Sequence, residues 1–219
     1  MRNMLRLKNF KRADDGVAAI EMALVLPMLV VLFLGTVEIS RFYLISKRVN
    51  NVAASMAQLL STSTAARTER QLQFIADGIY TIPTIEPDTR LAGNHVWKAH
   101  NVSLSSIEFV PLDKNCQTAN CKFDAVVRYS FSVDGDQMRP CGKATKVADN
   151  VSLTRMTLPE SIYGPGSVLV VDVSYAYRPL FGSKFLGELT LFRTSFMAPR
   201  YMPVVPFGPA KLPFLRIFS

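Results

Sequence analysis

The run from Val17 to Ile39 constrains this chain more than any other stretch. As a helix it would be about 35 Å long at ~1.5 Å per residue, enough to cross a ~30 Å hydrocarbon layer. Its centre, Met22–Val37, carries no charge, and Glu21 and Glu38 stand at its two edges, each close to an interface. Pro27 lies inside the run. It removes one backbone hydrogen bond and crowds the carbonyl of Ala23, so a kink or a local loosening is expected there.

The residues before the run are polar and basic: Arg2, Arg6, Lys8, Lys11 and Arg12, against Asp14 and Asp15. Cations ahead of a membrane span stay on the cytoplasmic side, which sends the C-terminus outward. Arg41, Lys47 and Arg48 follow the span and weaken the contrast without reversing it. A cleaved secretory signal would need a small-residue site after the apolar core. Gly35-Thr36-Val37-Glu38-Ile39-Ser40-Arg41 provides none, so the span is expected to persist as an anchor.

Apolar residues make up 49% of the 219, and their excess sits in the span. Of the net charge of +8, +3 belongs to the leader and +5 is spread along the rest of the chain. No Lys/Arg-rich run is present in the remainder, so no nucleic-acid partner is expected. Cys116, Cys121 and Cys141 imply one disulfide and one leftover thiol if this part lies outside the cytoplasm. Cys116 and Cys121 could close a small loop, and either could reach Cys141. With no Cys-x-x-Cys and with His95 and His100 far away in sequence, no metal is expected.

Helical patterning continues past the span. Phe42, Ile45, Val49, Val52, Met56 and Leu59 repeat at three and four residues, an a/d heptad stripe. The spacing predicts an amphipathic stalk over 40–60, packed on its own domain in preference to a second copy. Ser61-Thr62-Ser63-Thr64 interrupts it. Residues 61–100 then read as a second helix over Ala66–Ile79, with Leu72, Ile75 and Ile79 on one face, and a turn-rich connection.

From about residue 101 the period becomes two. Val102 and Leu104, then Ile107 and Phe109, straddle a register shift, and Phe123, Ala125, Val127, Tyr129, Phe131 and Val133 alternate. A long connection over 140–166 is expected to hold one short strand at Val151–Thr157. Leu169, Val171, Val173, Tyr175 and Tyr177 alternate again, and Leu189–Met197 is expected to pair back across a turn bracketed by Gly182 and Gly187. The β-rich domain thus covers 101–198. The tail, 199–219, holds Pro203, Pro206, Pro209 and Pro213 among aromatics and is expected either to lie extended against the domain or to be disordered. The fold class is α+β: a long N-terminal transmembrane helix, 17–39, continuing as an amphipathic stalk packed on a small antiparallel β-sheet domain.

The junction of leader and span carries a recognisable pattern: Gly16, Ala18-Ala19, Glu21, Ala23-Leu24, Pro27 and Glu38-Ile39-Ser40-Arg41. It resembles prepilins processed by a membrane aspartic peptidase, and within them the TadE-like minor pseudopilins of the tight-adherence (Flp) pilus system. Val173-Ser174-Tyr175-Ala176-Tyr177-Arg178-Pro179-Leu180-Phe181 looks like the Tyr-x-Tyr-x-Pro-Leu ending of that family. The resemblance implies a leader over 1–16, cleavage between Gly16 and Val17, and a prepilin peptidase, other pilins or pseudopilins, the pilus assembly platform and the lipid bilayer as partners. It also implies an inner-membrane, single-pass placement with the N-terminus cytoplasmic and the C-terminal domain periplasmic or extracellular. Two features depart from the pattern of the bulk pilin: Met22 stands where an aromatic usually follows the glutamate, and the outer domain is large. The second favours a minor, priming or tip-like component.

Glu21 gains a role from this. A carboxylate at the apolar boundary needs a cationic partner, and the α-amino group freed by cleavage of a neighbouring subunit lies at the same depth. Pairing would set the stagger between subunits. Glu38 and Arg41 would mark the other membrane boundary. The alternative is an uncleaved single-pass protein that acts as a structural part of the assembly or secretion machine, or in surface adhesion. Catalysis is not expected: no Gly-x-Ser-x-Gly, Walker loop or His-Glu-x-x-His occurs, and no cofactor is implied.

Overall fold

The computed structural model describes residues 15–76, 100–113, 116, 121–132, 138–181 and 187–208. Residues 1–14 of the leader, most of the connection with His95 and Trp97, and the tail beyond Gly208 lie outside the described residues. The α+β class expected from the pattern is the one found. Helix α1, Asp15–Ser61, runs 47 residues without interruption through Pro27. Within and just past the apolar stretch the hydroxyls of Thr36 and Ser40 return to the carbonyls of Leu32 and Thr36, each at 2.8 Å. Polar side chains that bond their own helix leave no donor facing an apolar medium.

The Ser-Thr-Ser break acts as a cap. The side chains of Ser61, Thr62 and Ser63 donate to the carbonyls of Gln58, Leu59 and Leu60 at 2.7, 2.9 and 2.5 Å, satisfying acceptors that the end of a helix orphans. Helix α2 spans Glu69–Ala76, shorter at its start than Ala66. The cause is Arg67: its N–H donates to the Pro206 carbonyl and its carbonyl accepts from Gly208, at 3.1 and 3.0 Å, which leaves it no helical bond to make. Thr68 is the N-cap, and Gln71 reaches back to accept from its N–H at 3.1 Å, half of a capping box. Glu69, only 1% exposed, has no partner for either oxygen among the described residues, and it sits where a helix dipole favours a carboxylate.

The described residues fall into two compact units. One holds α1 up to Leu44 together with the turn that begins at Pro179; the other holds Ile45–Arg178 and the residues from Glu188 onward. In the first, the side chains from Ala19 to Phe33 are all exposed.

The second unit is built on a five-stranded antiparallel sheet. Its strands are β1 (His100–Pro111), β2 (Phe123–Ser132), β3 (Gly142–Lys143), β6 (Gly166–Tyr177) and β7 (Leu189–Met197), in the order β3-β2-β1-β6-β7. Strands β4 (Thr145–Val147) and β5 (Thr157–Pro159) form a separate parallel pair. Val151–Thr157 is not a strand. Thr154 N–H donates to the Thr157 hydroxyl at 2.8 Å and Thr157 N–H to the Thr154 carbonyl at 3.2 Å, which turns the segment so that extension starts at Thr157. β3 and β4 were not foreseen; with two and three residues they carry no readable alternation.

The expected register shift falls between Ser106 and Ile107. Leu104 and Ser106 pair with Phe131 and Tyr129, but Ile107 pairs with Val127, so Arg128 of β2 is an extra residue, a β-bulge. β2 alternates throughout in sequence, yet the bulge divides it between the two faces of the sheet. Ala125 and Val127 join Ile107, Phe109, Val168, Val170 and Leu158 in one core, with Phe123 and Phe196 beside it. Tyr129 and Phe131 go to the other face with Leu104, Leu169 and Val171. Arg128 itself is exposed and pairs with Glu108.

The outer part of α1 packs on this second face. Arg193, which opposes Val173 in the register, donates to the Ser46 hydroxyl at 2.8 Å. The buried stripe is Ile45, Val49, Ala53, Met56, Ala57 and Leu60, whereas Leu59 is 53% exposed and Val52 half-buried. The expected heptad therefore holds at Ile45, Val49 and Met56, is half-buried at Phe42 and Val52, and fails at Leu59. A straight helix drifts ~20° per heptad from a 3.5-residue repeat, and nothing supercoils this one. The drift brings Ala53 and Ala57 inward. Packing is within the chain, and each large side chain so buried contributes ~1.5–3 kcal/mol.

The first face becomes polar towards one end. Arg139 and Asp172 form an ion pair with both side chains 0% exposed: Nε to Oδ2 at 2.6 Å and Nη2 to Oδ1 at 2.9 Å. Arg139 Nη1 donates to the carbonyls of Arg155 and Thr157, both at 3.2 Å, and the Thr194 hydroxyl donates to Asp172 Oδ1 at 2.7 Å. Ser130 Oγ lies 3.2 and 2.9 Å from the hydroxyls of Ser103 and Ser105, and it accepts from Arg139 N–H at 2.9 Å. The segment 138–166 is thus held to the sheet by a charge whose donors are satisfied. Burial lowers the pKa of Arg155 beside it; Asp172 raises it in part, and Arg139 adds to the lowering.

The start of the tail lies against the domain, through bends at Arg200, Tyr201, Pro203 and Val204 and not as a regular extended segment. Arg200 N–H donates to the Ser61 carbonyl at 3.0 Å, Ser167 to the Pro203 carbonyl at 2.6 Å, and Val205 is fully buried. Phe207 bridges Arg67 and brings its ring to 5.7 Å from that of Tyr129. The Tyr129 hydroxyl is buried without a partner among the described residues. Burial pushes its pKa well above the ordinary 10.0, with the Arg67 charge acting in the opposite direction. A group whose folded pKa is raised loses its contribution as pH climbs past the unfolded value. Tyr129→Phe is therefore expected to gain ~1 kcal/mol at neutral pH by removing an unsatisfied hydroxyl. It should also fall off less steeply than the parent above pH 10.0. Urea midpoints measured across the alkaline range test both statements.

Candidate functional site

The residues singled out by sequence fall at the two ends of the apolar stretch of α1. Gly16 and Val17 lie in its first turn as helical backbone. Glu21, one turn on, is exposed, and no described residue bonds its carboxylate. Around and beyond it the helix presents Ile20, Leu24, Met28 and Val31 at 65, 74, 67 and 69% exposure. A monomer rarely exposes so continuous an apolar surface unless a bilayer or other chains cover it. By length and composition α1 is a helix able to cross a membrane. Pro27 stays within it.

At the other end the i, i+3 spacing sets Glu38 and Arg41 on one side of the helix, both half-buried. One oxygen of Glu38 accepts two backbone N–H groups, from Leu180 at 3.0 Å and from Phe181 at 3.4 Å. Paired amides around a carboxylate form a charge-assisted clamp. The Pro179-Leu180-Phe181 sequence and the Glu38–Arg41 motif are therefore parts of one structural device. Sequence reasoning found both pieces and missed the bond. Pro179 was the available signal, since a proline two residues past the end of β6 cannot donate to a continued ladder and so marks where the strand gives way to a turn. Leu180 and Phe181 keep their side chains outward, 43 and 54% exposed.

Of the cysteines, Cys116 and Cys121 form the disulfide, with Cα atoms 5.8 Å apart. It closes the β1–β2 hairpin next to the Leu112 N–H to Lys122 carbonyl bond of 2.9 Å. Cys141 is outside the bridge and half-buried, and burial raises its thiol pKa. Of the two histidines, the backbone of His100 opens β1 opposite Tyr175, and His95 lies outside the described residues. Among the described residues no cluster of three His, Cys, Asp or Glu gathers.

No curated protein and no solved structure matches the chain. Residues 16–58 match the family model of TadE-like protein, the family to which Gly16, Glu21, Pro27 and the Glu38–Arg41 pair point.

Proposed function

We propose that this chain is a minor pseudopilin acting in biogenesis of a tight-adherence (Flp) pilus, anchored in the inner membrane by α1 and cleaved by a prepilin peptidase after Gly16. The reading rests on one observation above all: the TadE-like match begins at Gly16 and covers an apolar helix whose side chains from Ala19 to Phe33 are exposed. The five leader cations keep the N-terminus cytoplasmic. The Cys116–Cys121 bridge suits an oxidising compartment for the sheet domain. The role is structural, with other pilins, the assembly platform and the bilayer as partners, and Glu21 as the group that docks a neighbour's new N-terminus.

Processing is the most direct test. Protein purified from membranes that contain an active prepilin peptidase is expected to begin at Val17, and the same protein from peptidase-deficient cells to retain the leader. Intact-mass spectrometry separates the two. A full-length N-terminus despite an active peptidase would overturn the processed form. The second reading, an uncleaved single-pass structural component, then takes its place; Met22, in the position after Glu21 usually held by an aromatic, favours it.

A further inference from the structure

The turn after β6 shares a compact unit with the membrane-spanning part of α1. Its position along that helix is set by Glu38, which follows directly on the uncharged run ending at Val37. At ~1.5 Å per residue, the carboxylate that grips the turn stands within a few ångströms of the axial level at which the apolar surface stops. Leu180 and Phe181 are bound to it by their backbones, so their side chains are at the same level.

Two properties of the turn suit it to an interface. The first is backbone satisfaction: amides carried into the headgroup–acyl boundary need partners, and Glu38 accepts from both. The second is the outward face. A leucine and a phenylalanine stand 43 and 54% exposed, and Ile39, next to Glu38 along the helix, is 71% exposed. Aromatic and aliphatic side chains at this depth insert shallowly, by ~5–10 Å, into the boundary between headgroups and acyl chains.

We propose that Leu180 and Phe181 form a second, interfacial membrane anchor, clamped by Glu38 to the outer end of the span. This rests on the reading of α1 as a membrane helix. The occupant of the apolar face is the lipid leaflet into which the C-terminal end of the span emerges. Continuity with the exposed apolar surface of α1 and the depth fixed by Glu38 select lipid over a protein partner. A pseudopilin so built is fastened at two points, and drawing the helix out of the bilayer also has to lift the turn out of the interface.

The test uses the full chain with Trp97→Phe, since Trp97 is the only tryptophan, and with Phe181→Trp as the probe. The protein is reconstituted in phosphatidylethanolamine–phosphatidylglycerol vesicles brominated either just below the headgroups or at mid-chain. Emission from position 181 is expected to be lost chiefly with the shallow label. Leu29→Trp in the same background, at the middle of the span, is expected to be lost chiefly with the mid-chain label. If position 29 responds and position 181 responds to neither label, the interfacial anchor is overturned and the span stands. If position 29 responds to neither, the membrane reading of α1 fails and the anchor with it. Adding Glu38→Ala to the Phe181→Trp chain should reduce the shallow-label loss; an unchanged loss would overturn the clamp.

Discussion

Asp172→Ala is expected to lower the stability of the sheet domain by about 3–5 kcal/mol, the range for removing one partner of a buried ion pair. The Arg139 guanidinium would keep its bonds to the carbonyls of Arg155 and Thr157 and lose both carboxylate bonds, with its side chain fully buried. Thr194 would lose its acceptor as well. The penalty comes mainly from the stranded charge. Arg139→Met combined with Asp172→Leu should therefore recover much of the loss, since apolar replacement of a whole buried pair is often near neutral. Urea unfolding of the full chain in detergent, followed by circular dichroism, measures all three. A single-variant loss under ~1 kcal/mol, the range of exposed pairs, would show that the pair does not hold the 138–166 segment to the sheet.

Glu21→Ala is expected to leave membrane insertion intact and to reduce surface pili by about tenfold or more. A charge at the apolar boundary is unfavourable alone, so alanine inserts at least as readily; the deficit appears only where a neighbour's α-amino group would have paired with it. Alkaline carbonate extraction reports insertion, and counts of pili with co-purified pilin subunits report assembly. Normal piliation in the variant would remove the docking role from Glu21. Loss of insertion would place its function in the single chain instead.

Some of this was legible in the residues and some was not, for physical reasons. The span, the strand at Leu169–Tyr177 and its pairing with Leu189–Met197 follow from local composition and period, which dominate where an element is long. The register shift was visible because Val102, Leu104, Ile107 and Phe109 break step. Its effect on β2 was hidden: unbroken alternation from Phe123 to Phe131 reads as one face, and only pairing shows that Arg128 is surplus. The heptad misplaced the buried stripe because a rigid helix keeps its own period, so Ala53 and Ala57, small residues with little hydrophobic weight, displace Leu59. The ion pair left a trace that pattern reading passed over. Asp172 interrupts a strand apolar on both faces, Val168 to Val173, and a lone carboxylate in such a run requires a buried cation. That the cation would be Arg139, 33 residues earlier, is a product of topology.

The bulge also bears on how this domain tolerates changes in chain length. Remove Arg128 and the neighbours of the gap still alternate: Tyr129 stays opposite Ser106 and Val127 opposite Ile107, so each apolar residue remains with its own core. Remove Val126 instead, and register is kept on one side only by turning Arg128 inward or Val127 outward. Position 128 is the one point in β2 where a relative one residue shorter could align with this chain and keep both cores filled. A gap placed elsewhere in the strand would transpose the side chains between it and position 128.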